Sequence, residues 1–163
     1  MKLLPIAMFS VSLAGAQTQH QQHPPRSAEE YLKVLNDPKR DAWQKPHEVL
    51  QALDLKSTEI IADIGAGGGY FTRRFAHHAG KAYAVDIDAK LLEAAKKDAP
   101  ANLETVLALP DDPKLPDRSV DTIFFCDVLH HIDNRPAYYA KLARALKPGG
   151  RIVMIDLDRK SVV

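Results

Sequence analysis

The chain has 163 residues, enough for one domain, and is 45% hydrophobic and 26% charged, which excludes a disordered polymer. Its net charge of +1 offers no basic excess for a nucleic-acid surface, and no acidic tail is present. The single cysteine, Cys126, rules out an intrachain disulfide and a cysteine-rich zinc site; it lies in an apolar run and is expected to be a small buried hydrophobe.

Met1-Lys2 is a charged start, Leu3 to Ala14 is an apolar run, and Ala14-Gly15-Ala16 supplies small residues for cleavage. Residues 1–16 therefore read as a secretory signal peptide. The run is too short to span a bilayer comfortably, so no stable membrane span is expected after cleavage. Cleavage would leave 21 basic and 21 acidic residues. It would make the mature chain periplasmic or secreted in a bacterium; a mis-assigned start or an uncleaved anchor is the alternative, and the former leaves the chain cytoplasmic. Residues 17–26 are rich in Gln, His and Pro and read as a flexible linker, with His20 and His23 solvated.

A helical arm is expected over residues 27–57. Ser27 suits an N-cap, Glu29 and Glu30 fall in the first turn, and Tyr31, Leu32 and Leu35 follow at helical spacing. Asn36-Asp37-Pro38 stops this helix, and a second starts near Pro46 with Val49, Leu50 and Leu53. Between them Trp43 either closes over a ligand or packs the arm onto the core.

From Glu59 to Asp156 strands alternate with helices. The strands are expected at Glu59–Ile64, Lys81–Val85, Leu103–Leu107, Val120–Cys126 and Arg151–Asp156; the helices are expected at Tyr70–His78, Ala89–Ala99 and Arg135–Leu146. Val120–Cys126 is apolar nearly throughout, as in a strand buried on both faces. The alternation implies an α/β fold with a parallel sheet.

Asp63-Ile64-Gly65-Ala66-Gly67-Gly68-Gly69 stands at the carboxyl end of the first strand, where open parallel sheets bind ligands. Glycines there permit unusual backbone angles and close approach of a ligand, and free N–H groups of the following helix could face an anion. A dinucleotide fingerprint would need a further glycine at Tyr70, and no Gly-Lys-Ser/Thr follows for a phosphate loop. Asp63 would repel a pyrophosphate but suits an α-ammonium group. Asp86 ends the second strand, 21 residues beyond Gly65, where a carboxylate can accept from both ribose hydroxyls; Asp88 suits the next helix N-cap better. Of the pair Asp111-Asp112, one could accept from an adenine amino group, or both could form a turn.

Residues 59–156 resemble class I S-adenosylmethionine-dependent methyltransferases of the small-molecule type, including the quinone-biosynthesis C-methyltransferase group. The resemblance rests on residues 61–69, on Ala84-Val85-Asp86-Ile87-Asp88, on residues 120–132 and on Leu146-Lys147-Pro148-Gly149-Gly150-Arg151, in that order. It implies a Rossmann-like doubly wound sheet of strand order 3-2-1-4-5 and S-adenosyl-L-methionine as cofactor. It implies that Asp63, Gly65, Ala66, Gly67 and Gly69 hold the methionine part and Asp86 the ribose. It places Ile87 on one adenine face, Asp111 or Asp112 at the adenine amino group, and Asp127, Val128 and His131 where the methyl group is presented.

Methyl transfer rests on alignment and desolvation, with a general base required only for a protonated nucleophile. His131 is the candidate base, with His130 second; both could instead be polar residues at a strand tip. The expected partner is a small-molecule or lipid-like acceptor, with no nucleic acid and no metal. The family fold continues with a helix and an antiparallel strand pair, so the domain at 58–163 reads as truncated before them, which would leave an apolar edge. A cofactor-binding module without catalysis is the competing reading, and a nicotinamide-dependent oxidoreductase is a third.

Overall fold

The computed structural model describes residues 27–155. The expected signal peptide and linker, Asp156, and the segment leading to Val163 lie outside the described residues.

The arm begins with helix α1, Ala28–Leu35. Ser27 Oγ accepts from the Glu30 N–H and the Glu30 carboxylate accepts from the Ser27 N–H, both at 3.2 Å, so two donors at the helix start are satisfied reciprocally. Asn36 ends the helix. The next segment is more regular than its sequence suggests: a 3-10 turn at Pro38–Arg40 leads into the short helix α2, Asp41–Gln44. Lys45 takes a left-handed conformation with φ 45° and re-aims the chain into α3, Pro46–Leu53, which carries Pro at its first position.

Strands β1 (Ile60–Ile64), β2 (Lys81–Asp86), β3 (Leu103–Leu107), β4 (Val120–Cys126) and β5 (Leu146–Ile155) form one parallel sheet of order β3-β2-β1-β4-β5. This is the expected strand order. Helices α4 (Tyr70–Ala76), α5 (Ala89–Lys96) and α6 (Arg135–Ala145) alternate with the strands. Each of these helices stops short of its expected end. Gly80 closes the turn after α4, with Ser57 O only 2.6 Å from where its Cβ would stand, and Asp98 adopts φ 53° after α5.

β5 also differs from expectation, because it starts before Pro148-Gly149-Gly150 rather than after it. Val120 pairs with Leu146 and Thr122 with Arg151, so the intervening residues bulge out of the ladder, helped by φ 81° at Gly149.

Alternation along β1 and β4 divides the core into two layers. Ile61 and Phe124 face Phe71 and Phe75 of α4, with Leu92 of α5 in the same cluster. Ala62, Ile64, Ile123 and Phe125 face the other way, towards Tyr138 and Leu142 of α6. Ile123, Phe124 and Phe125 are wholly buried, as expected for a strand covered on both faces. Among the described residues no helix is long and apolar enough to cross a membrane.

Candidate functional site

Three strand ends meet, since Ile64 pairs with both Val85 and Phe125. Beyond them opens a cavity of about 650 Å³, bounded by the glycine turn, the tip of β2, the residues after β4 and the arm. The parallel register thus brings together Asp63, Gly65, Ala66, Gly67, Asp86, Ile87, Asp127 and His131, eight of the residues expected at the site.

The glycine turn is shaped by the protein as much as by any ligand. Gly65 has φ +70°, and a Cβ on it would stand 2.4 Å from Val128 Cγ2. Gly67 has φ +53°, and its Cβ would stand 2.7 Å from Leu35 Cδ1. Both positions therefore favour glycine for backbone angle, and Gly65 needs it for space as well, since Leu35 Cδ1 is the movable end of a side chain and the branched Val128 is not. The N–H groups of Gly65 and Ala66 donate to Val85 O, that of Gly67 to Asp86 Oδ2, and that of Gly69 to Ala66 O. These four donors are spent internally and are not available to cradle a phosphate. Gly69 stands outside the cavity, at the start of α4 and against Ala95 of α5.

The Asp86 carboxylate is fixed from both sides. Its Oδ2 accepts from the Gly67 N–H at 2.8 Å and its Oδ1 from the Asp88 N–H at 3.0 Å. Each oxygen keeps a further lone pair for a hydroxyl donor. Asp88, not Asp86, caps α5, accepting from the Lys90 N–H at 2.8 Å. Ile87 beside it is 60% exposed, an apolar side chain presented at the cavity wall.

Asp63 is 3% exposed and accepts from Thr72 Oγ1 at 2.6 Å. Burial raises its pKa from 3.8 to about 7, against the opposing Thr72 hydrogen bond and with the Asp86 charge adding to the rise. A cation placed beside it would relieve that cost.

The far side of the cavity follows β4. Cys126 is half-buried rather than fully enclosed, and its Sγ donates to Gln44 Oε1 at 3.1 Å. Burial and the nearby Asp127 and Asp63 carboxylates push its pKa up to about 12, so it stays a neutral thiol. Asp127 has φ 54° and accepts from Gln44 Nε2 at 3.2 Å. His131 ends a 3-10 turn at Leu129–His131, with its ring centroid 4.0 Å from that of His130. Burial, then the His130 charge, lower its pKa, which favours the neutral imidazole that a proton acceptor requires.

Asp111 and Asp112 are not brought to the cavity. Leu109 and Asp112 exchange backbone hydrogen bonds, closing a turn, and Lys141 Nζ donates to Asp111 O at 2.7 Å. Asp112 pairs with Lys114 at 3.2 Å and Lys141 at 3.7 Å. The residues just before them, Ala108, Leu109 and Pro110, line the cavity instead.

The arm supplies what the sequence reading missed. Leu35, Arg40 and Gln44 all line the cavity, and Trp43 stands 51% exposed at the same wall rather than packed in the core. No periodic pattern marks Arg40 or Gln44, and Thr72 gives no hint of its bond to Asp63. Among the described residues no group of three or more His, Cys, Asp or Glu could hold a metal ion.

A group with a cationic end and a ribose fits these residues, because a buried carboxylate and a doubly anchored carboxylate share one cavity.

Comparison with known proteins agrees with this geometry. The family model described as "Methyltransferase domain" matches residues 62–154, more than half of the chain. The chain is 32% identical over 108 residues to a demethylmenaquinone methyltransferase of Tropheryma whipplei (strain Twist); the match covers 65% of this chain and 45% of that protein. The chain thus spans less than half the length of that relative. A solved S-adenosylmethionine-dependent methyltransferase of Aquifex aeolicus superposes with a TM-score of 0.73 at 25% identity, covering 81% of this chain and 73% of its own. A DhpI–SAM–HEP complex superposes with a TM-score of 0.68 at 25% identity, covering 82% and 62%. With the strand order, the acidic glycine turn and the β2 carboxylate all in place, this chain belongs to the class I S-adenosylmethionine-dependent methyltransferase family.

Proposed function

We propose that the cavity binds S-adenosylmethionine and that the protein transfers its methyl group to a small-molecule or lipid-like acceptor. The observation that carries this reading is one cavity holding the buried Asp63 carboxylate and the anchored Asp86 carboxylate on adjacent strand tips. When bound, the cofactor supplies an electrophilic methyl group on a sulfonium. Asp63 meets the ammonium of the methionine end, and Asp86 accepts from the ribose hydroxyls. Ile87 and Leu109 give apolar cover to the base. The arm and the residues after β4 exclude water from the reacting end. His131 takes the proton from an acceptor that arrives protonated.

The resemblance to a demethylmenaquinone methyltransferase supports a quinone-like acceptor. So do Tyr31, Val34 and Trp43, exposed apolar side chains on the arm at the cavity wall.

Calorimetric titration with S-adenosylmethionine tests the cofactor. Binding is expected, with a loss of about a hundredfold or more in Asp86→Ala from two lost hydrogen bonds to a charged group. No heat from the unsubstituted chain at high ligand, or equal affinity in the variant, would overturn the reading. For catalysis, demethylmenaquinone is the first acceptor to try. His131→Ala is expected to retain cofactor affinity and lose turnover; unchanged turnover would remove His131 from the reaction.

A further inference from the structure

The arm touches the strand ends through one buried polar side chain. Gln44, the last residue of α2, is 7% exposed although it lies on a short surface helix. Its amide uses both ends: Oε1 accepts from Cys126 Sγ at 3.1 Å and Nε2 donates to Asp127 Oδ2 at 3.2 Å. Amide nitrogen and oxygen are therefore set by their partners, a thiol that can only donate usefully there and a carboxylate that can only accept.

Both sides of this contact are built to stay put. Lys45 turns the chain in a left-handed conformation immediately after Gln44, and Pro46 fixes the start of α3. Asp127 holds φ 54°, a conformation that Asp tolerates better than most residues, and its N–H donates to Ile155 O at 3.0 Å. Asp127 lines the cavity, and its Oδ2 is approached by Gln44 Nε2 at 3.2 Å and by the Cys126 thiol at 3.8 Å.

We infer that Gln44 is a positioning residue, which holds the Asp127 carboxylate at the methionine end of the cofactor site and so makes the arm part of that site. The inference rests on the cavity being an S-adenosylmethionine site. Burying a side-chain amide costs free energy unless both ends are matched, and an apolar residue would serve the packing alone. The matched amide serves alignment.

Calorimetric titration of the full chain with two ligands separates this role from a general structural one. S-adenosylmethionine carries the methionine end, whereas 5′-methylthioadenosine carries the same nucleoside without it. Gln44→Met keeps length and bulk but cannot donate to Asp127. It is expected to lose about tenfold in S-adenosylmethionine affinity, the scale of one hydrogen bond to a charged group, and nothing for 5′-methylthioadenosine. In an Asp127→Ala background the same change is expected to cost no further affinity, because the contact is already gone. Equal losses for the two ligands, or no loss for either, would overturn the inference while leaving the cofactor reading intact. Failure of the unsubstituted chain to bind S-adenosylmethionine would overturn both.

Gln44→Glu reads the same contact if the Met variant does not fold. It keeps the acceptor for Cys126 and sets a second carboxylate against Asp127. An added titration step in the pH dependence of S-adenosylmethionine affinity is expected, since two adjacent carboxylates share a proton. A pH profile identical to that of the unsubstituted chain would refute the contact.

Discussion

Asp63 shows how burial turns an ordinary carboxylate into a conditional one. In the unfolded chain it ionises near 3.8, and in the fold near 7. Below about 4 both states are protonated; between about 4 and 7 only the folded state keeps the proton. Stability contributed through Asp63 therefore falls as pH rises through that window and is level above it. Melting temperatures measured from about pH 5 to 8 should decline less for Asp63→Asn than for the unsubstituted chain. Cofactor affinity should run the opposite way, rising towards pH 8 as the carboxylate ionises to meet an ammonium group. Thr72→Val removes the hydroxyl that favours the ionised form and should move that rise to higher pH. An affinity flat across the range would exclude Asp63 as the ammonium partner.

Gly65 is constrained at the same scale, by two separable effects. Gly65→Ala meets a left-handed backbone cost of about 1–2 kcal/mol and an overlap with Val128. Overlap in a packed region adds about 1–3 kcal/mol. Denaturant unfolding of Gly65→Ala with Val128→Ala should recover the second cost and not the first. A double variant no more stable than Gly65→Ala would show that the backbone angle alone dictates glycine.

Among elements, the first part of the arm, up to Gln44, adds no side chain to either core layer among the described residues, whereas Val49 and Leu53 of α3 do. It is clasped to α4 through Tyr70, whose ring lies 4.1 Å from the guanidinium carbons of both Arg40 and Arg74. The Tyr70 hydroxyl donates to Asp41, which also pairs with Arg74 at 3.2 Å. Leu35 and Leu32 of α1 then lie on Gly67 and Gly68. Tyr70 thus has a positive role where its sequence position only argued against a dinucleotide fingerprint. Each cation–ring contact at such an exposed place is worth about 0.5–1 kcal/mol. Tyr70→Ala should therefore loosen the arm without unfolding the sheet. Hydrogen exchange should accelerate over residues 28–45 and remain slow in β1 and β4; uniform acceleration would show that the arm and sheet unfold as one unit.

At the scale of the molecule, the five parallel strands carry the site and the two apolar layers carry the sheet. We propose that residues 1–16 direct export, on the strength of the apolar run and the Ala14-Gly15-Ala16 site. Expression of the full gene in a bacterial host, followed by N-terminal sequencing, should find a mature chain beginning at Gln17. A chain retaining Met1 in the cytosol would exclude it.

Most of the sheet was legible in the sequence because its determinants are local. The apolar runs of β1 and β4, the caps at Ser27 and Asp88, and the breaks around the glycines are each set by neighbours a few residues away. Helix ends and the start of β5 were less so, since Gly80 and the bulge before Arg151 answer to contacts with other segments. The same division runs through the site. Asp63, the glycine turn and Asp86 announce themselves by position at strand ends, so the sequence alone determined the sheet class, its order by resemblance, and the acidic glycine turn at its carboxyl edge.

Only the tertiary structure decided which acids face the cavity and what encloses it. Asp111 and Asp112 are drawn away by Lys114 and Lys141, and Gln44 and Arg40 arrive from the arm. Gln44 reaches Asp127 across 83 positions of sequence. No local preference encodes such a contact; it exists because the parallel register and the clasped arm bring distant side chains within hydrogen-bonding distance.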